Sequence, residues 1–132
     1  MTSNAPQLEA RLIAHLCRVG YDDLDQTTVA CCKRLVMDTL AVAFPGRTAP
    51  GCAEVRTLAE SWPCAQGASV LFSSCKAAPP TAAMINSTMM HALDFDDTLD
   101  VSALHTFVTV LPAALAAAEA VGGVDGRTLI GA

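Results

Sequence analysis

Between Asp100 and Glu119 the chain runs for 18 residues without Asp, Glu, Lys or Arg, and this stretch closes on Ala113-Ala114-Leu115-Ala116-Ala117-Ala118. Alanine and leucine lose the least side-chain freedom in a helix and are its strongest formers. The segment therefore has little choice but helix. Its length touches the lower edge of a membrane span. Ser102, His105, Thr106, Thr109 and Pro112 interrupt it, however, and charges flank it. A helix buried inside a protein is the better reading, and a membrane partner is not expected.

The rest of the composition fits that reading. With 132 residues the chain has the length of one modest domain. Apolar residues make up 52 % and charged residues 16 %, against about 25 % charged in an average domain. Disorder is excluded on those figures. Only 5 % of residues are aromatic, so the core must be built from Ala, Leu, Val and Met, and part of the surface is expected to be covered. The net charge, 8 − 13 = −5, comes without a basic cluster. That argues against nucleic acid, because phosphate contact needs a concentrated positive face.

No apolar signal region follows Met1 to Leu8, and Glu9 with only Arg11 and Arg18 nearby does not resemble a mitochondrial presequence. A cytoplasmic location is expected. Cys17, Cys31, Cys32, Cys52, Cys64 and Cys75 form no C-x-x-C pair, so reduced cysteines packing as small hydrophobes are predicted.

Helical periodicity joins Leu8, Leu12, Ile13, Leu16 and Val19 before Gly20, and then continues from an Asp25 N-cap through Val29, Cys32, Leu35, Val36, Thr39 and Leu40 to Phe44. Pro45-Gly46 punctuates the chain. A third helix is predicted over Ala53–Glu60, stopped by Pro63. Ser69–Phe72 reads as a lone extended segment with no partner strand. Pro79-Pro80 suit the first turn of a fourth helix, which the pattern carries through the acidic cluster. A fifth helix covers Phe107–Val121. Gly122 to Gly126 then form a turn, and a last helix starts at Gly126.

Reactive groups concentrate in His91-Ala92-Leu93-Asp94-Phe95-Asp96-Asp97-Thr98 and in His105. On a continuous helix, His91, Asp94 and Thr98 share a face, Asp97 lies beside them and Asp96 points elsewhere. An acid, a hydroxyl and an imidazole in one cavity can bind a small polyanion and move protons. The bland alternative is a solvated acidic helix end with His91 packed beside it. Asp94-Phe95-Asp96-Asp97-Thr98 also fits Asp-x-Asp-x-Thr, the nucleophile loop of haloacid-dehalogenase-type phosphatases. That chemistry needs a buried strand just before the motif, and the residues from Asn86 to Leu93 are poor in β-branched side chains. A metal set of His91, Asp94, Asp97 and His105 has no metal-family spacing behind it. Asn86-Ser87-Thr88 is a glycosylation sequon read as structural, and His15 is read as a surface residue.

Asp38-Thr39-Leu40, Gly67-Ala68-Ser69-Val70-Leu71, Pro80 to Thr88, the His91–Thr98 motif, His105 and Val110 to Glu119 follow one another in an order and spacing that resembles the MmgE/PrpD family. The resemblance runs from about Leu8 to the end. Members include 2-methylcitrate dehydratase, cis-aconitate decarboxylase and iminodisuccinate epimerase, which act on small di- or tricarboxylates without metal or organic cofactor.

The resemblance implies an all-α, bundle-like fold with at most one short extended segment near 69–72. Residues 1–132 would be the N-terminal part of the family's helical domain, truncated at the C-terminal end and lacking the lid domain. It further implies a lyase that removes water or CO₂ after proton abstraction, a homodimer, and no cofactor. By match to the motif, His105 and Asp94 would be catalytic, and Thr98, Asp94 and His105 would touch substrate. His91 and Asp97 would stand behind them. The chain departs from the family in having His105-Thr106 where His-Pro is common. The basic residues expected to hold substrate carboxylates do not cluster near the motif. The rival expectation is a non-catalytic helical fragment that associates with itself or with a partner.

Overall fold

The computed structural model describes residues 5–62, 64 and 66–132. Its helices are α1 (Ala5–Arg18), α2 (Gln26–Gly46), α3 (Cys52–Glu60), α4 (Pro79–His91), α5 (Phe107–Ala120) and α6 (Gly126–Gly131). A 3₁₀ turn, Tyr21–Asp23, joins α1 to α2, and a hairpin of β1 (Ala68–Ser69) and β2 (Lys76–Ala77) separates α3 from α4. The fold is all-α. No described helix is long and apolar enough to cross a membrane, because the charge-free stretch is helical only from Phe107 onward.

Local chemistry sets most boundaries. Asp25 caps α2 by accepting from the Thr28 amide at 2.7 Å, and Asp125 caps α6 through Thr128 at 2.8 Å. Satisfying an orphan amide in this way is what makes aspartate a preferred N-cap. Pro79 and Pro80 occupy the first turn of α4, where a missing N–H costs nothing. Gly122 and Gly123 adopt φ of 91° and 99°, the left-handed backbone that ends α5.

Two expectations need correction. The extended segment is not alone: Ala68 pairs with Ala77 and Ser69 with Lys76 in an antiparallel hairpin. Two-residue strands carry no readable alternation, and tertiary hydrogen bonds hold this pair. Glu119 of α5 accepts from the Ser69 amide and hydroxyl at 2.9 and 2.8 Å and meets Lys76 Nζ at 3.4 Å. Buried Asn86 of α4 accepts from the Leu71 amide at 2.9 Å and donates to the Ser69 carbonyl at 3.0 Å. The sequon asparagine is therefore a structural bolt. The second correction is that α4 ends at His91 rather than running through the acidic cluster. The stop expected at Pro63 lies outside the described residues, and α3 ends at Glu60.

α4 is the central element. Ala82, Ile85, Asn86, Met89 and Met90 form its buried stripe. Val108, Leu111, Pro112 and Ala116 of α5 and Thr39, Ala43 and Gly46 of α2 are buried in the same core. Small residues let the helix axes approach closely. At Gly46 the approach is closest, since a Cβ there would overlap the Met89 carbonyl oxygen. Cys52 is buried in the core and all six cysteines are free; burial pushes the Cys52 thiol up, away from reactivity. Leu8, Leu12, Ile13 and Leu16 of α1, by contrast, are 58–62 % exposed, an apolar stripe left uncovered by the described residues.

Gly46→Ala should destabilise the fold by about 1–3 kcal/mol, because the clash is with backbone and cannot be relieved by a rotamer change. Gly126, with open space around it, should tolerate alanine within about 0.5 kcal/mol. Urea unfolding of both variants checks the pair. Glu119 gives a pH signature as well. Its hydrogen bonds from Ser69, with Lys76 nearby, hold its carboxyl below the usual value of 4.5. A depressed folded-state value stabilises the fold above the ordinary carboxylate range, and that stability is lost as pH falls from there through the depressed value. Glu119→Gln should therefore flatten the acid limb of the stability–pH curve by lowering stability in the neutral region, with the smallest change at acid pH, where Glu119 is itself protonated.

Candidate functional site

The C-terminus of α4, the loop 92–106 and the first turn of α5 meet at one end of the core. Asp94 causes the turn. It adopts φ 56°, a left-handed conformation that aspartate tolerates better than most residues, and its amide donates to the His91 carbonyl at 3.0 Å. The chain reverses there and returns Asp96 to the helix it has just left. Further on, Leu99 and Leu104 form an isolated antiparallel bridge, with Leu99 N donating to Leu104 O at 2.8 Å. The loop doubles back on itself and delivers His105 beside His91, with ring centroids 5.0 Å apart.

Asp96 lies at the centre. Its side chain is fully buried, and its Oδ2 is 2.9 Å from Nδ1 of His91 and 3.0 Å from Nδ1 of His105. The His91 contact is aligned as a hydrogen bond. The His105 contact is not, so His105 Nδ1 and the second oxygen of Asp96 are shielded from water without a hydrogen-bond partner. The imidazoles themselves reach solvent, with side chains 52 % and 31 % exposed. A groove of about 430 Å³ between α3 and α4 leads to His91 past Cys52, Met84, Ser87 and Thr88.

A donor atom from each of His91, Asp94, Asp96 and His105 lies within 4.8 Å of the others. Sequence reasoning named three of these and missed Asp96, because it placed 91–98 on a helix, where residue 96 falls on the far side. With α4 ending at His91, the i,i+5 pair meets through a turn. Asp96, and not Asp97, completes the four-residue group with His91, Asp94 and His105. Two imidazole nitrogens and two carboxylate oxygens are donor types that suit Zn²⁺-class ions, but the same groups also pair through protons, as Asp96 and His91 do here.

Of the remaining expected residues, Thr98 is exposed on the loop. Asp97 turns its carboxylate to the start of α5, accepting from Phe107 N at 3.0 Å and Thr106 N at 3.2 Å. Thr106 makes no side-chain cap of its own, so Asp97 caps the helix from across the loop. The motif is preceded by a helix, not by the strand that Asp-x-Asp-x-Thr phosphatase chemistry requires. Among the described residues no Lys or Arg forms an ion pair with Asp94, Asp96 or Asp97.

Asp97→Ala should cost about 1–2 kcal/mol, as removal of an N-cap does, and should release the loop. Hydrogen exchange at Thr106 and Phe107 should rise well before exchange in the middle of α5. Unchanged protection at those two amides would rule the cap out.

Comparison with known proteins places the chain in a family. A model of the MmgE/PrpD N-terminal domain matches residues 10–132. Two relatives, cis-aconitate decarboxylase of Aspergillus terreus and of its strain NIH 2624, are each 30 % identical to the chain over 113 residues. Each match covers 86 % of this chain and 23 % of the relative. The chain thus spans less than a quarter of the length of the relatives it matches. On that match, which takes in every helix from α2 to α6 and the whole His–Asp cluster, the chain belongs to the MmgE/PrpD family.

Proposed function

We propose that this chain supplies part of the active site of an MmgE/PrpD-type lyase acting on a small di- or tricarboxylate, of the cis-aconitate decarboxylase or 2-methylcitrate dehydratase kind. The observation that carries the reading is the pair of imidazoles, His91 and His105, gathered on one buried carboxylate, with His91 lining a groove. An imidazole that takes or gives a proton at the carbon next to a carboxylate permits the neighbouring C–O or C–C bond to break, with loss of water or CO₂. In this reading His105 is the proton-transfer group. Asp94, exposed at the turn and within reach of the cluster, orients a neighbour or handles a proton, and Thr98 hydrogen-bonds the substrate from the loop. The family resemblance supports chemistry without metal or organic cofactor.

A substrate with two or three carboxylates needs charge-assisted donors, and no Lys or Arg pairs with the cluster's carboxylates among the described residues. The working assembly in this proposal therefore takes its cationic groups from outside the region described. The exposed stripe of α1 favours a second reading, in which the chain is a non-catalytic helical piece that persists by association.

Proton NMR of cis-aconitate and 2-methylcitrate incubated with the protein separates the two. The lyase reading expects product to accumulate. His105→Ala should lower the rate by about 10²- to 10⁴-fold, the usual contribution of a positioned acid–base group, with unchanged helicity by circular dichroism. Undiminished turnover in that variant would remove His105 from the chemistry. Absence of turnover with either acid, together with a sedimentation mass above 13.7 kDa, would favour the associating piece.

A further inference from the structure

We propose that Asp96 is the positioning residue of this site: its buried carboxylate sets the tautomer and ring orientation of His91 and His105, drawing Nδ1–H of each imidazole toward itself and leaving Nε2 as the free base. For its catalytic consequence this rests on the lyase reading above; for its geometry it does not.

The inference follows from where the charge is placed. A carboxylate with no exposed side-chain surface is costly unless donors surround it. Among the described residues the side-chain atoms in hydrogen-bond or ion-pair range of it are the two imidazole nitrogens at 2.9 and 3.0 Å, an oxygen of Asp94 lies within 4.8 Å of the group, and no Lys or Arg pairs with it. An ionised carboxylate only accepts, so a nitrogen facing it at that distance is held in attraction only if it carries the proton. In a neutral imidazole a proton on Nδ1 leaves Nε2 bare. The His91 ring is already aligned for this bond. The His105 nitrogen is at bonding distance but off the line, and a modest ring rotation completes the second bond, since one carboxylate oxygen has two lone pairs to offer. The other acids of the motif are placed differently. Asp97 is committed to two backbone amides of α5, and Asp94, exposed at the turn with an oxygen within 4.8 Å of the cluster, makes no hydrogen bond or ion pair with either imidazole.

Asparagine at position 96 separates positioning from bulk. It keeps the shape but substitutes an NH₂ donor for one oxygen, and a ring facing that donor must present a bare Nδ1 and carry its proton on Nε2. The test is a long-range ¹H–¹⁵N correlation of the histidine-labelled protein at about pH 8.5, above the ordinary imidazole range. Wild type should show His91 and His105 as Nδ1–H tautomers. Asp96→Asn should move at least one of them to Nε2–H and leave His15, on α1, unchanged. Asp96→Glu should restore the Nδ1–H pattern. Nε2–H rings in wild type, or an unaltered pattern in Asp96→Asn, would overturn the inference. If the asparagine variant does not fold, the wild-type spectrum decides alone.

In protein that turns over, Asp96→Asn should reduce kcat by about 10²-fold or more with KM within a few-fold, because a wrong tautomer removes proton transfer rather than binding. The expected tautomers without turnover would overturn the lyase reading and leave the positioning role standing. Turnover with unexpected tautomers would do the reverse.

Discussion

The close approach of α2 to α4 at Gly46 sets the geometry on which the rest of the molecule depends. A hydrogen atom is all that fits between the α2 backbone and the Met89 carbonyl, so α4 is fixed against α2 in one register. Ala43 and Thr39 continue that contact along α2, and Ala116 and Leu111 of α5 are buried in the same core. Packing at near-crystalline density leaves such helices no freedom to slide. Met89 is two residues from His91, so the same contact that seals the core also fixes where the imidazole emerges.

From there the acidic motif divides three tasks among three chemically identical side chains. Asp94 adopts the left-handed backbone that reverses the chain. Asp96 is carried back beneath the histidines and buried. Asp97 reaches across the loop to cap α5. Each task uses a different property of aspartate: tolerance of positive φ, negative charge, and a short reach to backbone amides. Because the three residues are nearly contiguous, a shift in one alters the other two. The loop that holds the histidines together is thus tied at both ends by carboxylates, and His91 and His105 sit 5.0 Å apart although fourteen positions separate them in the chain.

The surface is uneven. Around α4 and α5 the core is dense and the hairpin is bolted on by Glu119 and Asn86. Along α1 an apolar stripe faces outward. A chain with only 16 % charged residues has few groups with which to cover such a face, which fits a segment that spans less than a quarter of the length of its relatives.

Much of the fold was legible because it is governed by near-neighbour rules. Helix starts at Asp25, Pro79 and Gly126, the glycine turn after α5 and the helical Ala113–Ala118 run all follow from near-neighbour chemistry such as capping, proline placement and propensity, which act within a few residues. The family was legible too, in the order of its motifs. The hairpin partner Lys76–Ala77, the end of α4 at His91 and the central place of Asp96 were not. Each depends on groups far apart in the chain: a glutamate fifty residues from Ser69, a helix packed against Gly46, and a histidine delivered by a loop that closes on itself. Sequence alone determined that a reactive His–Asp motif sits on an all-helical scaffold. Only tertiary structure decided which aspartate lies between the histidines, because burial of a charge is settled by what surrounds it in space, not by its spacing along a helix.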